Sequence, residues 1–381
     1  MDLPTLRILD ANLNRAREAL RVLEEHVRLL SPDAALCRRL KQMRHDLAHV
    51  VDAFGADALL AARDIRGDIG TGISTDAERR RTGPAHVARA AARRLAESLR
   101  CIEEYGKIVN VAAATRVEQL RYDAYALEQD IIATLPRRAA LRQARLHVLI
   151  TESLCHRPWL EVCELALRGG ADVLQLREKT LADRDLLHRA ERLREMTQRF
   201  DALLVINDRP DVARLAGADG VHLGLNDLSV AQARQIAGPT VLIGRTVHSV
   251  AETQEALAQG PDYLGVGPMF ASRTKPAPAA SPKPNEPTGP ALLAAVAEAM
   301  MKATEQPGQA EESCVPLVAI GGITHENVAT LPIQQTGSQR TQVAVCQSVI
   351  GAADPAAAAA NLRKALSAET DQSRDRSEPR P

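Results

Sequence analysis

Between Leu146 and Cys346 one rhythm governs the sequence: short runs rich in Val, Ile and Leu alternate with stretches of helical period. The runs fall at Leu146–Ile150, Asp172–Leu176, Leu203–Ile206, Gly220–Leu223, Val241–Ile243, Tyr263–Val266, Leu317–Ile320 and Val343–Cys346, and amphipathic segments such as Arg184–Phe200 and Val250–Leu257 separate most of them. Eight apolar strands alternating with helices over about 220 residues describe a closed barrel better than an open sheet. No Gly-x-Gly-x-x-Gly follows the first run, as a dinucleotide-binding sheet would require. The predicted fold class is therefore α/β, a (β/α)8 TIM barrel, and an all-α helical domain precedes it.

That first part follows helical period from Leu6 to about Leu135. Leu13, Ala16, Leu20, Leu23 and Val27 recur at spacings of three and four, with Arg15, Arg17, Glu18, Arg21 and Glu25 on other faces. A second amphipathic helix, from about Ala85 to Val109, echoes the first. Glu18-Ala-Leu-Arg-Val-Leu-Glu-Glu25 matches Glu97-Ser-Leu-Arg-Cys-Ile-Glu-Glu104, which hints at a pseudo-symmetric bundle. Between them Arg63-Asp-Ile-Arg-Gly-Asp-Ile-Gly-Thr-Gly72 reads as a connecting loop tied by ion pairs or as an anion-binding loop, although it lacks the Lys-Ser/Thr ending of a P-loop. Pro136-Arg-Arg-Ala-Ala-Leu-Arg142 marks a hinge. The expected domains are residues 1–138, helical; 139–366, the barrel; and 367–381, a disordered tail. Pro276–Pro290 and Lys302–Ser313 read as surface loops.

Composition narrows the function. Lys+Arg and Asp+Glu balance at 48 each and aromatic residues make up 2%. A nucleic-acid binder wants a basic face and rings to stack on, so none is expected here. No apolar stretch approaches the roughly 20 residues of a membrane helix, and Met1 leads into a charged segment without a signal-peptide core, so the expected location is cytoplasmic. The six cysteines form no Cys-x-x-Cys pair and read as free thiols.

Unusual polar residues sit just after the apolar runs, on the carboxyl rim where a barrel builds its site. Gln175, Arg177 and Lys179 share one side of an extended chain and suit an anion, the alternative being a salt bridge to Glu178. Asp208 and Asp227 follow adjacent strands; with a diphosphate they would bind Mg²⁺, whereas either one alone could be a helix cap. Thr246 and His248 add a hydroxyl and an imidazole, though His248 could equally cap a helix. Ser272, Thr274 and Lys275 follow the sixth run. Gly321, Gly322 and Ser348 suit a phosphate pocket built from backbone N–H groups after strands seven and eight; a tight turn also explains the glycines. Two anion sites suggest two phosphorylated substrates.

Gln175-Leu-Arg-Glu-Lys179, Ile206-Asn-Asp208, Asp219-Gly-Val-His-Leu-Gly224 with Asp227, Asp262-Tyr-Leu-Gly-Val-Gly-Pro268, Thr274-Lys275 and Ala319-Ile-Gly-Gly-Ile323 resemble, in order, the signatures of the thiamine-phosphate synthase family. That resemblance implies a TIM barrel that joins 4-amino-5-hydroxymethyl-2-methylpyrimidine diphosphate to 4-methyl-5-(2-phosphooxyethyl)thiazole and releases diphosphate. It implies that Gln175, Arg177, Lys179, Asn207 and Lys275 hold the pyrimidine diphosphate, with Arg177, Lys179 and Lys275 the catalytic cations. Asp208 and Asp227 are implied to bind Mg²⁺, and Thr274 with the backbone at Gly322 to receive the thiazole phosphate. Thr246 stands where the family usually has Ser, Leu225 where Gln is common, Ser272 where Thr is common, and Gln347, beside Ser348, where Ser is usual.

The first half resembles the helical domain fused to some of these synthases, through Asp10-Ala-Asn-Leu-Asn-Arg-Ala-Arg-Glu-Ala-Leu-Arg-Val-Leu-Glu24 and Arg63-Asp-Ile-Arg-Gly-Asp68. A hydroxymethylpyrimidine-phosphate kinase is implied, with Asn12, Asn14, Arg15, Arg63 and Asp68 as its site; otherwise these are caps and surface ion pairs. A thiazole tautomerase-like or regulatory barrel would be expected to lose part of the diphosphate and Mg²⁺ set, which is retained here. A phosphosugar enzyme would want an acid/base within a strand. Homo-oligomerisation is compatible with either assignment.

Overall fold

The computed structural model describes residues 2–30, 33–65, 67, 80–271, 288–304, 315–332, 335–336 and 339–375. It divides into two compact units, Met1–Pro136 and Arg137–Pro381. Among the described residues no helix is long and apolar enough to cross a membrane.

In the first unit α1 spans Leu3–Glu25, α2 Ala34–Phe54, α3 Ala56–Ala62, α4 Pro84–Val109 and α5 Val111–Gln129. Asp2 caps α1 by accepting from the Thr5 N–H, and Pro4 occupies its first turn, where no backbone donor is needed. The helix ends in a wide turn, His26–Leu30, rather than running on to Leu30 as an α-helix. The echoed octapeptides play matching parts. Glu24 on α1 is buried and accepts from Arg44 of α2 at 2.5 Å; Glu103 on α4 is buried and accepts from Arg121 of α5 at 2.7 Å. A carboxylate can be buried there because each has its own guanidinium.

Pro136 lies inside a helix, Leu135–Gln143, and not in a turn. That helix follows directly on a π-helical turn, Asp130–Thr134.

In the second unit eight parallel strands close into a barrel. They are β1 Leu146–Ile150, β2 Val173–Leu176, β3 Leu203–Asn207, β4 Gly220–Leu223, β5 Leu242–Val247, β6 Tyr263–Val266, β7 Leu317–Ile320 and β10 Gln342–Val345, in the order β1-β10-β7-β6-β5-β4-β3-β2. A two-stranded ribbon, β8 Gln335–Thr336 with β9 Gln339–Arg340, precedes the last of them. Strand residues alternate between two cores. Leu149, Val173, Val205, Leu242, Tyr263 and Val318 fill the lumen, while Val148, Leu174, Leu204, Ile243, Leu264 and Ala319 pack against the surrounding helices. β5 continues past Ile243, so Thr246 lies within a strand rather than after one.

The amino-terminal end of the barrel is tied by carboxylates that precede alternate strands. Asp172 accepts from the N–H groups of Arg145 and Leu146, Asp219 from Leu204 and Asp262 from Ile243. Each also meets arginine: Asp172 with Arg363, Asp219 with Arg137 and Arg194, Asp262 with Arg138 and Arg234. Charge at this end is consumed in holding strand starts. The final helix runs Pro355–Asp375, across residue 367, the expected start of the tail; residues 376–381 lie outside the described residues.

Candidate active site

The opposite rim is built differently. Lys179 Nζ lies 2.5 Å from Asp208 Oδ2, joining the segment after β2 to that after β3. Asp208 has φ +64°, a conformation that Asp and Asn tolerate better than other side chains. Its backbone N–H donates to the His222 carbonyl at 2.8 Å, which fixes it beside the end of β4. Asp227 is held in a tight turn by the Gly224 N–H at 2.6 Å. Burial pushes the Asp227 carboxyl above its ordinary pKa and the neighbouring Asp208 raises it further, against the Gly224 N–H and Lys179. Two carboxylates thus converge on too little positive charge.

Neither aspartate is a helix cap; Ser229 caps the helix after β4 and no side chain caps the helix Pro210–Leu215. Glu178 is no partner for the cations either, since it accepts from Arg189 at 3.0 Å. Burial pushes the Cys346 thiol, just after β10, up to about 11, and the charge of Arg177 opposes the shift. Asn207 closes β3 half-buried. Among the described residues no group of three or more His, Cys, Asp or Glu could hold a metal. A hard divalent cation at Asp208 and Asp227 would have to complete its shell with substrate oxygens and water, the usual arrangement for Mg²⁺ with a phosphate ester.

After β7, Gly321 and Gly322 have φ +103° and +64°, and a Cβ on Gly322 would stand 2.6 Å from the Ala271 carbonyl. The tight turn is real and is forced by the loop after β6, whose Met269 and Phe270 N–H groups donate to Ile320 and Gly321. Asn327 braces it, donating to the Gly322 carbonyl and accepting from the Thr324 N–H. Ser348 follows β10 with its hydroxyl buried and without a hydrogen-bond partner, while Gln347 is exposed. Ser272, Thr274 and Lys275 lie outside the described residues.

Thr246 Oγ1 points into the lumen, 2.8 Å from His222 Nε2, and His222 Nδ1 is 3.1 Å from the Tyr263 hydroxyl. Gln175, on the same inward face, is buried with Oε1 unpartnered. His248 instead bonds through its ring to the Gly267 carbonyl, and Ser249 caps the helix that follows. Sequence reasoning gave His222, Tyr263 and Arg245 no role. Arg245, buried, donates to the Leu225 and Leu228 carbonyls at 3.0 Å each and so pins the loop that carries Asp227. The available signal was period two: His222 and Tyr263 occupy inward positions of otherwise apolar strands.

In the helical unit Arg63 grips Asp10 through two bonds of 2.8 and 2.7 Å. Asn14 donates to Asp10, Asn12 donates to the Ile8 carbonyl, and Arg15 is exposed. Asp68 lies outside the described residues.

Residues 146–349 match the family described as thiamine monophosphate synthase, and residues 7–130 match the ThiD2 family. Similar full-length relatives are the thiamine-phosphate synthases of Thermosynechococcus vestitus, 39% identical over 95% of this chain and 95% of that protein, and of Synechocystis sp., 38% identical over 95% and 96%. That of Rhodopirellula baltica is 38% identical over 89% of this chain and 87% of its own.

Proposed function

Since the chain belongs to the thiamine-phosphate synthase family, a family of transferases, with a ThiD2-family domain ahead of its barrel, we propose that it condenses the pyrimidine diphosphate and the thiazole phosphate in the cytoplasm through Mg²⁺-assisted departure of diphosphate. The observation that supports the metal reading is the Lys179–Asp208–Asp227 cluster, in which two carboxylates face each other and burial, then Asp208, raises the Asp227 carboxyl.

Asp208 and Asp227 would hold the metal, and Arg177, Lys179 and Asn207 bind the diphosphate arm of the pyrimidine. When bound, Mg²⁺ supplies positive charge to the departing oxygens. Lys179 and Arg177 stabilise the same developing negative charge, an electrostatic effect that is large in a site closed from water. The pyrimidine methylene left behind is electron-poor, and Gln175 and Thr246 orient it. The thiazole nitrogen attacks through a lone pair and bears no proton, so no general base is demanded. Lys275 and Thr274 join the set through the resemblance alone.

Incubating the full chain with both phosphorylated heterocycles and Mg²⁺ should yield thiamine phosphate and diphosphate, and EDTA should abolish it. Undiminished turnover in EDTA would exclude the metal-assisted route. The unpartnered Ser348 hydroxyl is proposed to receive the thiazole phosphate. Ser348→Ala should then raise the KM for the thiazole phosphate about tenfold, the scale of one hydrogen bond to a charged group, and leave the KM for the pyrimidine unchanged.

For the helical unit we propose phosphorylation of the hydroxymethylpyrimidine monophosphate, which would supply the barrel's diphosphate substrate. Support lies in the ThiD2 match and the Asp10–Asn14–Arg63 cluster. ADP formed from ATP and the monophosphate by the full chain is the expected result; no nucleoside diphosphate released from any nucleoside triphosphate would exclude it.

A further inference from the structure

The lumen beneath the rim holds polar groups that the reaction does not consume. Tyr263 and His222 are buried, their rings stacked at 5.4 Å, and two glycines make room for them. A Cβ on Gly244 would fall 2.1 Å from a Tyr263 ring carbon, and one on Gly265 3.0 Å from His222 Cε1. These glycines are register partners of the relay residues themselves, Gly244 facing both His222 and Tyr263, and Gly265 facing Thr246. An apolar lumen would need none of this. Burying four polar side chains is costly unless their hydrogen bonds are all made in one consistent sense.

That sense can be deduced. Burial pushes the Tyr263 phenol far above its ordinary range, opposed by the Gln175 side-chain amide acting as a donor, so the phenol keeps its hydrogen. The hydrogen-bond partner seen at its oxygen is His222 Nδ1 at 3.1 Å, and the hydrogen goes there. Nε2 then carries the ring hydrogen and donates to Thr246 Oγ1 at 2.8 Å. The Thr246 hydrogen remains available, as does the bare Gln175 Oε1. The opposite sense would turn Nδ1–H onto the tyrosine oxygen and leave the phenolic hydrogen buried without an acceptor, which native interiors avoid.

We propose that the relay Tyr263–His222–Thr246, with Gln175 beside it on the same inward face, sets the hydrogen-bond polarity of the barrel floor. It presents one acceptor, Gln175 Oε1, and one donor, the Thr246 hydroxyl, to a heterocycle that carries a ring nitrogen lone pair beside an exocyclic amino group. His222 and Tyr263 are positioning residues that act through the two side chains above them. This rests on the proposed function, in that Gln175 and Thr246 meet the pyrimidine. A site wired this way rejects the 4-oxo analogue, which offers a ring N–H where the amino compound offers a lone pair.

The test has two arms. Nitrogen-15 spectra of the substrate-free full chain, with the His222 signals assigned by their loss in His222→Gln, should show Nε2 protonated and Nδ1 bare. Tyr263→Phe keeps the ring that fills the space over Gly244 and removes only the hydroxyl. Its preference in kcat/KM for the amino over the 4-oxo pyrimidine diphosphate should fall about tenfold, one buried hydrogen bond's worth, with the KM for the thiazole phosphate unchanged. Protonation of Nδ1, or a preference in Tyr263→Phe within about twofold of the parent, would overturn the relay. Should the parent form no product from the amino compound, the proposed function fails, while the nitrogen spectra still decide the wiring.

Discussion

Asp208→Asn is expected to lower kcat by on the order of a hundredfold or more at saturating Mg²⁺, the usual cost of removing one preorganised electrostatic contact to a transition state. The substitution is chosen for the backbone. At φ +64° an alanine would add strain to the loss of charge, whereas asparagine occupies the left-handed region at least as readily as aspartate. Its amide can still meet Lys179, so the segments after β2 and β3 stay together and the melting temperature should move little. What is lost is one negative charge from the pair facing Asp227. Lys179→Ala should cost a similar factor by a different route, removing positive charge from the departing diphosphate. Because the two side chains touch at 2.5 Å, the double variant should lose much less than the product of the single losses. A kcat for Asp208→Asn within about threefold of the parent would remove Asp208 from the metal site.

How much of this could be read from residues alone follows from what each signal measures. Hydrophobic period found the strands because burial on both faces leaves little choice of side chain; β1, β4, β6 and β7 begin and end where the apolar runs do. It failed at β5, where Arg245 and Thr246 broke the run although the backbone stayed extended. Arg245 is polar at its tip yet buried, satisfied by two loop carbonyls that no pattern brings next to it. Positions after strands located Lys179, Asp208 and Asp227, since a barrel delivers those ends to one rim. The raised state of Asp227 was not legible, because it depends on burial and on Asp208, 19 residues earlier in the chain and brought near only by adjacent parallel strands. The lumen relay escaped for a related reason. His222 and Tyr263 looked like strand residues, and only closure of the barrel sets one over the other.

Asp227→Asn should make the metal-free protein slightly more stable and the enzyme on the order of a hundredfold slower. The sign follows from the direction of the shift. A carboxyl whose pKa is raised by folding binds its proton more tightly in the folded state, so its stabilising contribution is present at low pH and is lost as pH rises through the folded pKa. At pH 7 the parent therefore carries the full penalty of a partly buried carboxylate beside Asp208, and asparagine does not. Asparagine Oδ1 can still accept from the Gly224 N–H, so the turn survives. The gain should be about 1–2 °C in Tm, the scale of one relieved like-charge contact in a domain of this size, and it should vanish below the ordinary carboxylate range near pH 4. Adding Mg²⁺ should reverse the order. A cation that binds only the folded parent raises its Tm through mass action, and the variant, lacking one of two ligands, should respond much less. Thermal scans of both proteins with and without Mg²⁺ at pH 7 decide it: a variant less stable than the parent when metal-free would mean that Asp227 is a structural anchor of its loop, and equal Mg²⁺ responses would take the metal away from this carboxylate.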